Sequence, residues 1–319
     1  MGHPPTEMAS VACFGSVNVD RVRFVDDATL ADLAATYPWF PSAGETVTVE
    51  SVPAEFIDAA DEVFLGGKGA NQAAAAAAAG ADAFLAGAVG RDHDRAGVLP
   101  SLRERGVDVR DVAVTGERTG TALVFVAPDG ENHIAVVPGA NGDLDADDAG
   151  RALPRVRAAD CLLLQNEVPV DAMRALLDGL ADAPDAPMVL YDPAPADGAG
   201  ALLAHPAVDV VTPNAAEAET VAASLADFDG LVVRTRGADG VVVEGPDGFS
   251  QSAPPVDPVD TTAAGDVFTG YLAARLGEAA PLRDAVEEAT AAASLSTTVA
   301  GAQASIPDRS VVTDLLASR

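Results

Sequence analysis

Gly66-Gly67-Lys68-Gly69-Ala70-Asn71-Gln72 runs into seven alanines, Ala73 to Ala79, then Gly80 and the apolar stretch Ala83 to Val89. Alanine has the best intrinsic helix propensity, and a glycine just past such a run is a natural stop. An alanine run can also be bare low complexity. Here a glycine turn precedes it and a strand-like run follows, so the stretch reads as a tightly packed helix inside a β-turn-α-β unit.

Outward from this unit the same alternation recurs. Upstream, Val11 to Val19 reads as one buried strand ending in the polar residues Asn18 and Asp20. Downstream come a helix around Ala96 to Arg105, then Cys161 to Gln165, Val170 to Leu180, Met188 to Tyr191, Val208 to Val211, Ala216 to Leu225, Leu231 to Arg234 and Val241 to Glu244. The chain closes in helices over Val267 to Leu276, Leu282 to Thr298 and Ser310 to Ala317. Apolar strands alternating with helices predict an α/β fold with a doubly wound, mostly parallel sheet flanked by helices. Two regions break the alternation, about 21–63 and 109–137. The second contains Ala122 to Val126, a turn at Asp129-Gly130 and a return strand His133 to Val137. They are expected to form a small β lid on a single domain spanning 1–319, since no long linker or repeat divides the chain.

Composition narrows the function classes. The chain has 319 residues, 49% of them hydrophobic, enough for one large core. Asp and Glu number 49 against 19 Lys plus Arg, a formal net charge of −30 spread along the whole chain. Such a surface repels nucleic acid and anionic membranes, so neither is expected as a partner. It suits a high-salt cytosol, where screening removes self-repulsion, and so predicts a halophilic source. The start, Met1 to Ser10, has no cationic or apolar run, and no stretch has the length of a spanning helix, so a cytoplasmic protein is expected. Cys13 and Cys161 lie in apolar runs and read as core residues rather than a disulfide or metal pair. Lys68 is the only lysine in the chain, and it stands in the glycine turn.

Two strand-to-helix turns carry candidate chemistry, because open α/β sheets bind ligands at such turns. The first, Gly66 to Gln72, lacks the spacing of a phosphate-cradling Walker loop and the third glycine of the dinucleotide fingerprint. Its glycines allow a ligand close to the backbone, and Asn71 offers both donor and acceptor, as a sugar hydroxyl requires. A tight structural turn explains the glycines equally well. The second is Asp260-Thr261-Thr262-Ala263-Ala264-Gly265-Asp266 before the helix Val267 to Leu276. Small residues at a helix N-terminus expose free N–H groups, which with the helix dipole form an anion site. Asp266 is either a simple N-cap or a carboxylate facing that site. A cap alone does not need Ala-Ala-Gly before it.

Together these turns resemble the two signatures of the PfkB carbohydrate kinase family, and within it the ribokinases. The likeness runs nearly end to end. Its pieces are Gly15-Ser16-Val17-Asn18-Val19-Asp20, Gly44-Glu45-Thr46-Val47, Gly66 to Gln72, Gly130-Glu131-Asn132, Gly139-Ala140-Asn141, Asp192-Pro193-Ala194-Pro195-Ala196, Thr212-Pro213-Asn214 with Glu217, Asp260 to Asp266, and Gly301-Ala302-Gln303 with Ser305. The resemblance implies a ribokinase-like fold and transfer of the γ-phosphoryl of ATP to a sugar hydroxyl, D-ribose to ribose 5-phosphate first. Another sugar, a sugar acid or a nucleoside is the alternative acceptor, and a non-catalytic sugar or nucleotide sensor the distant alternative.

By the same resemblance Asn18, Asp20, Gly66, Gly67, Lys68, Asn71 and Glu167 form the sugar side. Asp266 takes the hydroxyl proton, and the N–H groups of Ala263, Ala264 and Gly265 form an anion hole. Asn214 and Glu217 place Mg2+ and phosphates, and Thr235 and Gly237 bind the nucleotide. Asp260, Thr262, Ser296, Val299, Gly301 and Ser305 map to a K+ site, and subunits pair as a homodimer through the lid. The family pattern has Gly where Ala263 stands, and alanine is accommodated there provided its φ is negative. Between Asp20 and Gly66 the chain is longer than in ribokinases. The extra residues, including Ala28 to Ala35 and Ala54 to Glu62, fall in the lid and leave acceptor identity and subunit pairing open.

Overall fold

The computed structural model describes residues 8–318 except Glu117, Asp182 and Pro184. Met1 to Glu7, part of the start on which the expectation of a cytoplasmic protein rests, lies outside the described residues. The strands are β1 Ser10–Phe14, β2 Asn18–Phe24, β3 Thr46–Thr48, β4 Glu62–Gly66, β5 Asp82–Val89, β6 Asp108–Val114, β7 Gly120–Val126, β8 Asn132–Val137, β9 Cys161–Gln165, β10 Met188–Asp192, β11 Val210–Val211, β12 Leu231–Thr235, β13 Val241–Val243 and β14 Phe249–Gln251. Nine of them form one sheet in the order β14-β13-β12-β11-β10-β9-β1-β5-β6. It is parallel from β6 to β12 and turns antiparallel only at β13 and β14.

Successive strand side chains point to opposite faces, and here both faces are covered. Val11, Cys13, Leu85, Cys161 and Leu163 join one core with the helices Lys68–Ala78, Ala264–Gly277 and Leu282–Ser296. Ala12, Phe14, Phe84, Leu162 and Leu164 join the other, with the helices Ala146–Val156 and Val170–Leu180. Both cysteines are free and buried, and Cys161 Sγ donates to the Ala273 carbonyl at 3.3 Å. The alanine run has a packing reason. A Cβ on Gly270 would stand 2.5 Å from the Gln72 carbonyl oxygen and 2.6 Å from Ala75 Cβ, so the helices Lys68–Ala78 and Ala264–Gly277 cross nearly backbone to backbone. That contact carries the glycine turn and the Asp266 turn to the same place.

The second sheet has five strands in the order β3-β8-β7-β2-β4. Two readings change here. Val11 to Val19 is two strands, because the chain turns at Gly15-Ser16-Val17 and passes from the large sheet into the second one. Val17 is held at that turn by Asn141, whose Oδ1 accepts from Val17 N at 2.9 Å. The stretch 109–114 does not belong to the second sheet; it lies in β6, paired parallel to β5 at the edge of the large sheet. Its own alternation of polar and apolar residues is that of an edge strand with one face in water, which local pattern cannot tell from a hairpin arm. The β7–β8 hairpin pairs as expected, with Gly130 at φ 89° in its turn.

Candidate active site

β1 has β5 on one side and β9 on the other, so chain order reverses at its carboxyl end, where open α/β sheets form a crevice. Around that end stand the Gly15–Val17 turn, Gln165 closing β9, Asp192 closing β10, Asn214 beyond β11, and Thr235 closing β12. The two turns picked out above meet there. Asn71 Nδ2 donates to Asp266 Oδ2 at 2.9 Å across 195 positions of sequence. Both residues are buried, and Asn71 Oδ1 has no partner among the described residues. A buried acceptor left open beside a carboxylate is a place for a hydroxyl.

The glycine turn has a packing reason. Gly67 has φ 88°, and a Cβ on it would stand 2.6 Å from Asn18 N; one on Gly69 would stand 2.6 Å from the carbonyl carbon of Gly15. The glycines thus let this turn nest against the β1–β2 turn, which puts Lys68 at the start of its helix facing the crevice. Lys68 Nζ lies 3.6 Å from Asp266 Oδ1 and 3.7 Å from Asp192 Oδ2. Burial alone would lower its pKa, but the carboxylates of Asp266, Asp192, Glu167 and Glu217 outweigh burial and raise it. The ammonium therefore stays charged through neutral pH.

Gln72 Nε2 spans the same two carboxylates, at 2.9 Å to Asp192 Oδ2 and 3.2 Å to Asp266 Oδ1. Its oxygen accepts from Gln165 Nε2 at 2.6 Å, which decides which end of the amide faces the acids. Burial raises the Asp192 carboxyl to about 7, with Lys68 pulling down and Asp266, Glu217 and Glu167 pushing up.

On the sugar side, Asn18 and Asp20 lie two apart on β2 and so share one face of the second sheet. Asn18 Oδ1 accepts from Asn141 Nδ2 at 2.8 Å. Glu167 accepts from Ser16 Oγ and, at 3.1 Å, from the backbone N–H of Lys68. Asp20 is raised to about 7 by burial first, then by Glu167 and Asp266. Asp192, Gln72, Gln165, Ser16 and Asn141 were not among the expected site residues. A signal existed for two of them: Gln165 and Asp192 are polar residues ending otherwise apolar runs at the carboxyl ends of central strands.

Asp266 is not an N-cap. It is the third residue of the helix Ala264–Gly277, whose N-cap position is Ala263 and which no side chain caps. The first-turn N–H groups are left for an anion, and beside Gly265 the space is open, with no heavy atom within 4 Å of an added Cβ. Ala263 itself has φ 60° and ψ 10°, against the expectation of a negative φ. The left-handed region costs an L-residue about 1–2 kcal/mol, while glycine's extra freedom in the unfolded chain costs about 0.4–1 kcal/mol. Strain wins, so Ala263→Gly is expected to raise stability by about 0.5–1 kcal/mol and the melting temperature by about 1–3 °C in a thermal melt. An unchanged or lower melting temperature would remove the strain.

Asn214 and Glu217 form a reciprocal capping box on the helix Ala215–Thr220. Glu217 Oε2 is held by Asn214 N at 2.7 Å, and its charge is felt by both Lys68 and Asp192. Thr235 pairs with Asn214 across an isolated parallel bridge, and Gly237 opens the next turn at φ 54°. Among the described residues no three His, Cys, Asp or Glu side chains cluster as a metal cage. A lone carboxylate fits Mg2+, which keeps water and takes substrate phosphates as ligands.

The residues expected to hold K+ lie together. Asp260 accepts from Thr262 N and Thr262 Oγ1 with one oxygen, and from Gly301 N at 2.8 Å with the other. Ser296 and Val299 share a turn beside them, and Ser305 N reaches the Gly301 carbonyl. This all-oxygen set of carboxylate, hydroxyls and carbonyls fits a hard monovalent cation.

A cavity of about 820 Å³ lies at the opposite, amino end of the strands, between Met188, Leu231, Leu276 and Leu282. Asp160 and Asp209 in its lining are already held by Ser10 N and Val189 N. The crevice that gathers Asp266, Lys68 and Asn71 is at the other end of the sheet. Among the described residues no helix is long and apolar enough to cross a membrane.

Comparison with known proteins places this arrangement. Residues 8–309 match the family described as "pfkB family carbohydrate kinase". The chain is 36% identical over 299 residues to a ribokinase of Bacillus subtilis, covering 89% of this chain and 96% of that protein. Its fold is similar to the crystal structure of a Thermotoga maritima ribokinase, with TM-score 0.76 and 29% identity over 97% of this chain and 99% of the other. It is also similar to an Arabidopsis thaliana ribokinase complexed with ribose and ATP, with TM-score 0.76 and 28% identity over 97% and 99%.

Proposed function

The chain belongs to the pfkB family of carbohydrate kinases, and from this we propose that it phosphorylates D-ribose with ATP to give ribose 5-phosphate. One observation carries the reading: Asp266 is held by Asn71 and Gln72 and faced by Lys68, at the start of a helix whose N–H groups nothing caps. The ribokinase names of the relatives, and the ribose and ATP in the Arabidopsis thaliana structure, agree with it.

In this reading Asn18, Asp20, Asn71, Glu167 and the Gly66-Gly67 backbone hold the sugar hydroxyls, and the reacting hydroxyl lies against Asp266. Phosphoryl transfer runs through a loose transition state, so positioning and charge stabilisation do most of the catalysis. The hydroxyl proton leaves late, and a weakly basic carboxylate can accept it. The first-turn N–H groups of Ala264 and Gly265 and the Lys68 ammonium face the negative charge of the moving phosphoryl. Asn214, Glu217, Thr235 and Gly237 line the nucleotide side. When bound beside Glu217, Mg2+ supplies charge neutralisation on the phosphates. K+ in the Asp260–Gly301 cluster would fix the loop that opens onto the anion hole. The second sheet, as a lid carrying Asn18 and Asp20, shields the reaction from water. The dispersed acidic surface fits a halophile's cytoplasm.

A coupled ADP-release assay with ribose, other pentoses, a ketohexose, a sugar acid and a nucleoside, in KCl and then in NaCl, tests the reading. The expected result is the highest kcat/KM with ribose and faster turnover in KCl. Preference for another acceptor by tenfold or more would move the chain to a different kinase of the family. ADP release with none of them would end the kinase reading.

A further inference from the structure

A carboxylate that takes a proton from a bound hydroxyl has to be held still, and one of the groups holding Asp266 has nothing left to offer a substrate. An amide carries two N–H groups and one oxygen. Gln72 commits its nitrogen to Asp192 Oδ2 and Asp266 Oδ1, and its oxygen to Gln165 Nε2. Gln72 and Gln165 are both completely buried. No donor of Gln72 remains for a sugar hydroxyl or a phosphate.

This frame is fixed at both ends. Gly270 stands one turn after Asp266, on the same face of the helix Ala264–Gly277. The Gln72 carbonyl oxygen packs there, 2.5 Å from where a Cβ on Gly270 would be. The backbone of Gln72 is thereby set against the helix that carries Asp266. At the other end, Gln165 on β9 is in register with Asp192 on β10, and residues paired across strands share a face. Gln165 Oε1 has no partner among the described residues and lies against Gly15, where an added Cβ would stand 1.9 Å from it. Gly15 makes room for that oxygen, and the amide nitrogen is left for Gln72.

Charge decides the order of the amides. Two carboxylates call for the N–H end of Gln72, which turns its oxygen away from them. A buried oxygen without a donor is costly, and Gln165 supplies the donor. Take that donor away, and Gln72 gains by moving off the acids to find another.

We infer that Gln72 and Gln165 are a positioning pair for phosphoryl transfer: Gln165 orients Gln72, and Gln72 holds the Asp266 carboxylate in place for the reacting hydroxyl. The inference rests on the reading of Asp266 as the base and adds how that base is held.

Gln72→Met should lower kcat for ribose by about 10–100-fold, the range that misplacing a reacting group costs, and Gln165→Met by about 5–20-fold through the same route. KM for ribose should change little, since neither side chain is free to bind it. The double variant should be no worse than Gln72→Met alone, because residues that act through one contact do not add. A folded Gln165→Met protein with parental kcat, or losses that multiply in the double variant, would overturn the inference. Gln165→Met removes no hydrogen bond to either acid, so it still tests the pair if Gln72→Met fails to fold.

A second readout needs no turnover. In protein labelled with ¹³C at aspartate carboxyls, the Asp192 signal is the one lost in Asp192→Asn. It should titrate at about 7 in the parent and higher in Gln165→Met, because a donor to the charged form favours that form. The charges that Asp192 feels, on Lys68, Asp266, Glu217 and Glu167, are the same in both proteins. An unmoved Asp192 midpoint would also overturn the pair. If the parent releases ADP with no acceptor at all, the kinase reading falls, and this titration decides the pairing of Gln72 with Gln165 by itself.

Discussion

Asp266→Asn is expected to lower kcat for ribose by about 10²–10⁴-fold, the usual contribution of a positioned general base, while the protein stays folded. Asparagine keeps the shape of the side chain. Its amide oxygen can still accept from Asn71 Nδ2 or Gln72 Nε2, which now meet Asp266 at 2.9 and 3.2 Å. What disappears is the lone pair that takes the hydroxyl proton and the charge that faces Lys68. Lys68 keeps Asp192 as a partner at 3.7 Å, so no buried cation is stranded. Loss of one charge-assisted hydrogen bond costs about 1–3 kcal/mol, partly offset because a neutral side chain is cheaper to bury than a carboxylate. The kinetic signature should be equal loss in kcat and kcat/KM, with KM for ribose little changed, as for an interaction made only in the transition state. Coupled ADP release and a circular dichroism melt on the same preparation separate the two effects. A folded variant with near-normal turnover would remove Asp266 from the mechanism.

What could be read from the chain depended on how local the determining physics was. The alternation of apolar runs and helices is local, and the large sheet followed it. The helix of seven alanines was legible because its neighbours bounded it, and Gly270 shows why alanine was needed. The break at Gly15-Ser16-Val17 was not legible, since an apolar run with a glycine looks the same whether it continues or changes sheet; the change is enforced by Asn141, more than a hundred positions away. The same limit applies to 109–114, whose pattern suits either an edge strand or a hairpin arm. In the site, Asp266, Lys68 and Asn71 were named because motifs carry them. Gln72 and Gln165 escaped because their role is to orient other groups, and only coordinates reveal an amide held between two acids. The left-handed backbone at Ala263 escaped because alanine argues against it; the turn before an open anion site forces it.

Lys68→Met should lower kcat by about 10²–10³-fold, the magnitude of losing one preorganised electrostatic group, and raise KM for ATP. It should also carry the fall of stability with rising pH further than in the parent chain, where Asp192 already stands at about 7. The only lysine in the chain sits between two buried carboxylates, 3.6 Å from Asp266 and 3.7 Å from Asp192. Methionine keeps the stem and removes the charge. Gln72 alone then separates the two acids, and like charges in one buried site cannot both stay ionised. Asp192 is the one to take up a proton, since burial already raises it to about 7 and Lys68 is what pulls it down. Without Lys68 its folded pKa climbs further above the unfolded value near ~4.

The sign follows from proton binding. Between those two values the folded state holds more protons than the unfolded one, so stability falls as pH rises through the window. The variant should therefore melt close to the parent at pH 5 and well below it at pH 8.5. Lys68→Arg should not restore turnover, because a planar fork cannot replace a compact ammonium seated between two acids. The check is a melt series from pH 5 to 8.5 beside steady-state kinetics for ATP. A Lys68→Met protein with parental kcat, or with parental melting at pH 8.5, would show that the ammonium neither steers the phosphoryl group nor balances the two acids.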